Sequence, residues 1–176
     1  MTVKFKAEAN ADLEFEFPKS LVWEELDIQG ATLPNNMKFV DIVIERENDI
    51  LLVEIKDPSN GFSKDKTRKK FYKELTDNTT IKQHLTPKVR DSYLYMHLME
   101  RDVKPFKYVV LLGLDAFDEY QQKLVLTGFK DRLMSDVQNE GQGWKRKYIQ
   151  DCIVLTVEQW NKFLDWPLVR LSATTK

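Results

Sequence analysis

The stretch from Met37 to Asn60 constrains the fold most, because it holds two apolar runs separated by a short polar corner. The runs are FVDIVIE and ILLVEIK, and the letters between them are REND. Runs of this length and composition, joined by a short polar segment, predict a β-hairpin. The hairpin also carries charge inside its apolar runs, at Asp41 in the first and at Glu54 and Lys56 in the second.

Alternation of side chains along a strand places Glu54 and Lys56 on one face. The position of Asp41 depends on the turn. A two-residue turn at 47–48 would set Asp41 opposite Glu54, and a turn at 48–49 would set it opposite Lys56. Both registers gather the three charges on one face. A three-residue loop without a bulge would put Asp41 on the other face, so the sequence leaves this point open.

Two carboxylates that converge among apolar neighbours repel each other and lose hydration, which costs several kcal/mol unless a cation compensates. Magnesium is commonly held by one or two carboxylates, with water and substrate phosphate completing its coordination. Such an ion activates water and stabilises oxyanions, and Lys56 could orient that water or neutralise charge at a phosphate. The alternative is an ordinary cross-strand ion pair on an exposed face.

Asp41, a gap of twelve residues, and Glu54-Ile55-Lys56 on the following apolar strand together resemble the motif of the PD-(D/E)XK, or restriction-endonuclease-like, nuclease superfamily. Val40 stands where the motif's name has Pro. The resemblance implies an α/β fold with a restriction-endonuclease-like core in αβββαβ order, a mixed central sheet flanked by helices. It also implies magnesium-dependent hydrolysis of phosphodiester bonds in nucleic acid, with DNA as the expected substrate.

The resemblance further implies a role for each residue of the motif. Asp41 and Glu54 would be metal ligands, the carbonyl of Ile55 a further ligand, and Lys56 the catalytic lysine. Mg²⁺ is the implied cofactor, and we expect Mn²⁺ to substitute for it. Many members of the superfamily add an acid from the first helix.

A short helix is predicted immediately before the hairpin. Pro18 occupies a position tolerated in a first helical turn, and KSLVWEELD after it places apolar residues on adjoining helical positions. Within this predicted helix, Glu24 and Glu25 are the candidates for the helix-one acid that the resemblance implies. The following segment, residues 29–36, carries Gly, Pro and two Asn and predicts a connector.

A basic helix is predicted after the hairpin, beginning near Ser63 or Asp65. Its candidate nucleic-acid-binding residues are Lys64, Lys66, Arg68, Lys69, Lys70 and Lys73. Such a row could follow a phosphate backbone. A charge run is also typical of a solvated helix face, which is the alternative interpretation.

The rest of the chain alternates predicted helices and strands. Thr86-Pro87 predicts a helix start, with a kinked continuation from Ile81 as the alternative. Residues 106–115 predict a central strand covered on both faces, 118–137 one long helix, and 151–156 a further strand. Thr156 and Gln159 have capping-box spacing before a last helix. We therefore expect one α/β domain over 1–176, with an N-terminal strand or hairpin at 1–17, a nuclease-like core at 18–115 and a helix-strand-helix at 116–176.

Composition limits the functional classes. The net charge of -1 gives no global attraction to polyanions, so DNA would have to bind at a local patch. One cysteine and two histidines exclude a disulfide framework and a Cys/His structural zinc site. No apolar run approaches the ~20 residues of a membrane span, so we expect a soluble, cytoplasmic protein without a membrane partner.

A second D-x-K sequence, at residues 102–104, follows no acid-bearing strand and is interpreted as a chance match. The alternative function is a non-catalytic, nuclease-like binding or assembly module that uses the basic helix or the C-terminal helix for a partner. In either case a homodimer or a separate specificity protein would supply target recognition, because a small core has limited surface for contacting bases.

Overall fold

The computed structural model describes residues 1–28 and 36–172. Within these ranges the chain forms two sheets, one of five strands and one of three. The predicted connector at 29–36 lies, apart from Asn36, outside the described residues.

The five-stranded sheet holds the predicted hairpin at its centre. Its strands in spatial order are β3 (Val22–Glu25), β4 (Ile42–Glu45), β5 (Ile50–Lys56), β6 (Phe106–Leu112) and β7 (Asp151–Thr156). The first three strands are antiparallel, and β5, β6 and β7 are parallel. The prediction of a mixed central sheet in an α/β fold is confirmed, and β6 is an interior strand as its continuous apolar run indicated.

The three-stranded sheet is antiparallel and has the order β1-β2-β8. Strands β1 (Thr2–Phe5) and β2 (Leu13–Pro18) form an N-terminal hairpin, and β8 (Leu168–Arg170) comes from the far end of the chain. Three residues after Pro167 are too short a run for a strand to be predicted, so β8 was missed.

The helices are α1 (Asp65–Thr76), α2 (Thr86–Leu98), α3 (Glu119–Leu126), α4 (Phe129–Glu140) and α5 (Val157–Phe163). The single helix predicted over 118–137 is wrong, because Gly128 adopts a left-handed conformation with φ of 65° and separates α3 from α4. The capping box predicted at Thr156 and Gln159 is present at the start of α5. Among the described residues, no helix is both long and apolar enough to cross a bilayer.

A π-helical turn at Ile81–Leu85 leads directly into α2. The chain therefore follows the kinked continuation, which was one of the two alternatives for this helix. The hydroxyl of Tyr108, on β6, donates a hydrogen bond of 3.1 Å to the carbonyl of Leu85 within this turn. A buried tyrosine needs such a partner, so the contact fixes the turn against the sheet.

The two faces of the five-stranded sheet build separate hydrophobic cores. One face packs against the π-helical turn, α2 and α4, and its buried residues include Leu52, Tyr108, Val110, Val89 and Leu133. The other face packs against the three-stranded sheet and α5, and its buried residues include Ile44, Val53, Phe15 and Trp160. Strands with apolar residues on both faces, as in the hairpin runs, are thus covered on both sides.

The helix predicted between Pro18 and Leu26 is wrong, because Val22–Glu25 form strand β3 and pair with β4. Trp23 explains the difference. Its ring lies 5.0 Å from that of Phe5 and 4.8 Å from that of Phe17, between centroids. These contacts with the three-stranded sheet favour the extended backbone over the weak local helical pattern.

Candidate functional site

The hairpin register brings Asp41 and Glu54 together. Ile42 lies opposite Val53, so the residue before it, Asp41, lies opposite Glu54. This is the register of a turn at 47–48, the first of the two that the sequence left open. Glu54 and Lys56 share a face as predicted, and their charged groups lie 2.6 Å apart.

Strands β4 and β5 separate at Asp41. The backbone N–H of Ile55 donates to Oδ2 of Asp41 at 2.6 Å, and the N–H of Val40 donates to Oγ of Ser92 on α2 at 2.9 Å. Each of these two N–H groups therefore donates to a side chain, at a position where a regular antiparallel ladder would offer a backbone carbonyl. The N–H and C=O of a residue in an antiparallel ladder point to the same neighbour, so the Ile55 carbonyl faces the Asp41 side as well.

Glu54 is fully buried, with 0% of its surface exposed. Its Oε1 lies 2.6 Å from Nζ of Lys56 and 3.0 Å from Nζ of Lys88, but neither approach has hydrogen-bond geometry. Its Oε2 has no hydrogen-bond partner in the described part of the chain. The alternative of an exposed cross-strand ion pair is therefore wrong, and Oε2 of Glu54 is a buried carboxylate oxygen without a hydrogen-bond partner among the described residues.

Lys88, on α2, and Asp27 are site residues that no sequence pattern indicated. Nζ of Lys88 lies 2.9 Å from Oδ2 of Asp27 and 3.8 Å from Oδ1 of Asp41, in addition to its contact with Glu54. We call Asp27, Asp41 and Glu54 the carboxylate cluster. Burial alone would lower the pKa of Lys88, but the three carboxylates outweigh burial and raise it above the ordinary value.

The pKa of Asp41 is raised to about 7, mainly because the carboxyl group is buried and secondly because Glu54 is negatively charged. Lys88, the N–H of Ile55 and Lys56 act in the opposite direction. A carboxyl group with such a pKa is partly protonated near neutral pH, because burial and the charge of Glu54 disfavour the charged form more than the nearby donors and cations favour it.

The chemistry of these residues fits a divalent cation of the magnesium type. Asp41 and Glu54 provide hard carboxylate oxygens, one of them unpaired, and the Ile55 carbonyl faces the same side. The described residues contain no group of three or more His, Cys, Asp or Glu side chains placed to hold a metal. An ion would therefore depend on this pair, backbone oxygen, water and substrate.

A cavity of about 250 Å³ opens beside the split strands. It is lined by the loop before β2, by Asp41, by residues 55–57 at the end of β5, and by Thr67 and Phe71 of α1. Glu54 is not part of the lining, so the cavity reaches Asp41 and Lys56 directly while Glu54 lies behind them. No sequence pattern indicated the loop that closes this cavity.

Helix α1 confirms the predicted basic helix and covers the cavity with one face only. Thr67 and Phe71 mark that face, and Lys64 is the N-cap residue before the helix, directly after Ser63, which also lines the cavity. Lys69 and Lys73 project from the opposite side of the helix. All of these lysines are exposed, whereas Arg68 forms an ion pair with Asp65. The basic row is therefore not one continuous rim of the cavity.

The strand at 22–25 removes the helical position predicted for Glu24 and Glu25. Glu25 lies opposite Ile42 and so faces the three-stranded sheet, away from Asp41. Glu24 forms an ion pair with Arg101, which also binds Glu45 at the far end of β4. The acid that does reach the site from this part of the chain is Asp27, through Lys88.

A second charged group borders the cavity. The guanidinium of Arg170, on β8, binds Asp57 at 2.8 Å and Asp12 at 2.8 Å, and also Asp115. Asp12 is fully buried, and burial is the main cause that raises the pKa of Asp57. Because Asp57 directly follows Lys56, this group ties the three-stranded sheet to the end of β5.

No family model, curated protein or solved structure matches the chain.

Proposed function

We propose that this protein is a divalent-metal-dependent nuclease that hydrolyses phosphodiester bonds, with DNA as its substrate. The observation that carries the proposal is the pairing of Asp41 with Glu54 where β4 and β5 separate, beside Lys56 and an open cavity. A largely buried pair of carboxylates whose negative charge is only partly compensated costs folding free energy, and such a pair is typical of a cation site.

Asp41, Glu54 and the Ile55 carbonyl would hold the ion, which when bound supplies a water of lowered pKa and charge for the phosphate. Lys56 lines the cavity and orients the attacking water or neutralises charge that develops on the phosphate oxygens. Lys64, which directly follows the cavity-lining Ser63 at the start of α1, binds the phosphate backbone next to the scissile bond.

The order of elements supports the same proposal. Three antiparallel strands, a helical segment and a strand parallel to the third follow one another from β3 to β6. This order agrees with the βββαβ part of the core that the sequence motif implies. A strand hairpin precedes it in place of the first helix, so the helix-one acid has no counterpart at Glu24 or Glu25.

The test is cleavage of supercoiled plasmid and of single-stranded oligonucleotide in the presence of Mg²⁺ or Mn²⁺. Asp41→Asn and Lys56→Ala are each expected to reduce cleavage at least about a hundredfold, as removal of a group that stabilises developing charge does. Lys104→Ala, in the chance D-x-K sequence, is the matched control and should leave cleavage unchanged. Equal cleavage by all four proteins would contradict the proposal.

The two lysines on Glu54 favour a second candidate, the non-catalytic nuclease-like binding module. Lys56 and Lys88 both contact Oε1, so the chain itself compensates part of the charge that a metal would otherwise compensate. Binding of a fluorescent oligonucleotide that does not change on addition of Mg²⁺, together with no cleavage under any metal, would support this candidate over the first.

A further inference from the structure

The strongest feature that the nuclease proposal leaves unused is Lys88. It is a buried cation placed among the carboxylates that a metal would need, and neither the motif nor the basic helix accounts for it. We propose that the Lys88 ammonium and a divalent ion compete for Glu54 and Asp41, so that metal loading requires Lys88 to move away from Glu54. This inference deepens the proposed function and rests on it for the identity of the ligand.

Geometry is the first argument. Nζ of Lys88 lies 3.0 Å from Oε1 of Glu54 and 3.8 Å from Oδ1 of Asp41. A magnesium ion binds carboxylate oxygen at about 2.1 Å. An ion that used Oε1 of Glu54 and Oδ1 of Asp41 would need the space between the two oxygens that now face the ammonium, so both cations could not keep their positions.

Charge balance is the second argument. Three carboxylates, from Asp27, Asp41 and Glu54, face two ammonium groups, from Lys56 and Lys88. A divalent ion added to this set would leave excess positive charge in a largely buried site, which is costly. A divalent ion that takes the place of Lys88 at Glu54 and Asp41, while Lys88 keeps only its pairing with the partly exposed Asp27, moves the excess charge from the buried part of the site to its solvent-facing edge.

Asp27 provides the alternative position for the displaced lysine. Its Oδ2 accepts a hydrogen bond of 2.9 Å from Nζ of Lys88, and its side chain is 37% exposed. The α2 backbone at Lys88 stays fixed, because Oγ of Ser92 donates to the Lys88 carbonyl at 2.7 Å and accepts from the N–H of Val40. The four-carbon side chain can therefore turn outward about Asp27 without movement of the helix.

The test is the affinity of the full-length protein for Mn²⁺, measured by calorimetry at pH 8 without nucleic acid. Lys88→Met removes the competing charge and keeps the apolar stem, so its Mn²⁺ affinity should rise about tenfold or more over wild type. Lys82→Met, at an exposed position in the π-helical turn, is the matched control and should bind like wild type. Glu54→Gln in the Lys88→Met background should abolish the gain. Equal or weaker binding by Lys88→Met overturns the inference.

Because Lys88→Met leaves buried carboxylates without a partner and so lowers stability, a second measurement uses the wild-type side chain. In protein labelled with ¹³C in its lysines, the ε-methylene signal of Lys88 is assigned by its loss in Lys88→Arg. Saturating Mg²⁺ is expected to shift this signal towards the position of exposed lysines. A Lys88 signal that stays in place at saturating Mg²⁺ overturns the competition.

Failure of this inference is distinguishable from failure of the nuclease proposal. Metal-dependent cleavage that is lost in Asp41→Asn, combined with unchanged Mn²⁺ affinity in Lys88→Met, keeps the nuclease and removes the competition. Tighter Mn²⁺ binding by Lys88→Met, combined with no cleavage by any form of the protein, keeps the competition and removes the nuclease.

Discussion

Oδ2 of Asp41 accepts a hydrogen bond of 2.6 Å from the backbone N–H of Ile55, while the same carboxyl group lies opposite the fully buried Glu54. The bond favours the ionised form of Asp41, whereas burial and Glu54 disfavour it more strongly and raise the pKa to about 7. A group held in this way makes the stability of the fold depend on pH.

Asp41→Asn should flatten the dependence of stability on pH between about 4 and 7. The pKa of Asp41 is higher in the folded protein than its ordinary value of 3.8, so its contribution is fully present below that value and is lost as the pH rises through about 7. Each unit of pKa difference corresponds to about 1.4 kcal/mol. Urea unfolding at pH 5 and pH 8 measures the effect.

The control for that measurement is Asp131→Asn, at an exposed position of α4. It should leave the difference in unfolding free energy between the two pH values as in wild type. An Asp41→Asn protein that loses as much stability as wild type between pH 5 and pH 8 would show that Asp41 is already ionised in the folded state.

Arg170→Met should lower the free energy of unfolding by about 3–5 kcal/mol, because it leaves the buried Asp12 and the partly buried Asp57 without their cation. Chemical denaturation measures the loss. Arg90→Met removes a more exposed arginine that pairs with Glu140, and this control should cost about 1 kcal/mol or less. Similar losses for the two variants would mean that the Arg170 group contributes no more than a surface ion pair.

Gly113→Ala should destabilise the fold by about 1–3 kcal/mol through overpacking. A Cβ at Gly113 would overlap the carboxylate of Asp57 and crowd the guanidinium of Arg170. Because Gly113 also donates from its N–H to the Lys56 carbonyl at 2.9 Å, the displacement reaches the candidate site. The midpoint temperature of thermal unfolding and the rate of plasmid cleavage should both decrease.

A double-mutant cycle tests that explanation. In an Asp57→Ala background the overlapping atoms are absent, so Gly113→Ala should cost clearly less than in wild type. The same cost in both backgrounds would place the effect of Gly113→Ala in the backbone and not in its contact with Asp57.

Lys64→Ala should weaken DNA binding more than Lys69→Ala, although each variant removes one exposed lysine from the basic row. Lys64 is the N-cap residue before α1 and directly follows the cavity-lining Ser63, whereas Lys69 projects from the side of the helix opposite Thr67 and Phe71. The slope of log affinity against log salt concentration, from fluorescence anisotropy, should fall by about one for Lys64→Ala. Equal effects would indicate non-specific attraction to the whole helix.

The hairpin could be predicted because its determinants are local, whereas its register stayed open between turns at 47–48 and 48–49 and a three-residue loop. The period-two pattern gathers the charges on one face for either two-residue turn, and the structure decides that Asp41 lies opposite Glu54. The strand at Trp23 could not be predicted in this way, because its partners Phe5 and Phe17 lie on another sheet. Tertiary contacts decided the backbone there.

Lys88 was missed for a related reason. A lysine shortly after the Thr86-Pro87 helix start has no local feature that separates it from a solvated one. Only the packing of α2 against the sheet brings its ammonium to Glu54 and Asp27. Charge compensation inside a fold is a property of assembled elements, and a motif confined to one hairpin does not contain it.

The π-helical turn at Ile81–Leu85 determines the direction in which each side chain of α2 projects from the helix axis. Such a turn contains one residue more than a regular helical turn, and each residue rotates an α-helix by about 100°. Removal of a single residue from this turn would therefore carry Lys88 about a quarter of the way or more around the helix axis and take Ser92 with it. One inserted or deleted codon would be enough to exchange a site compensated by its own lysine for one that must recruit its cation from solution.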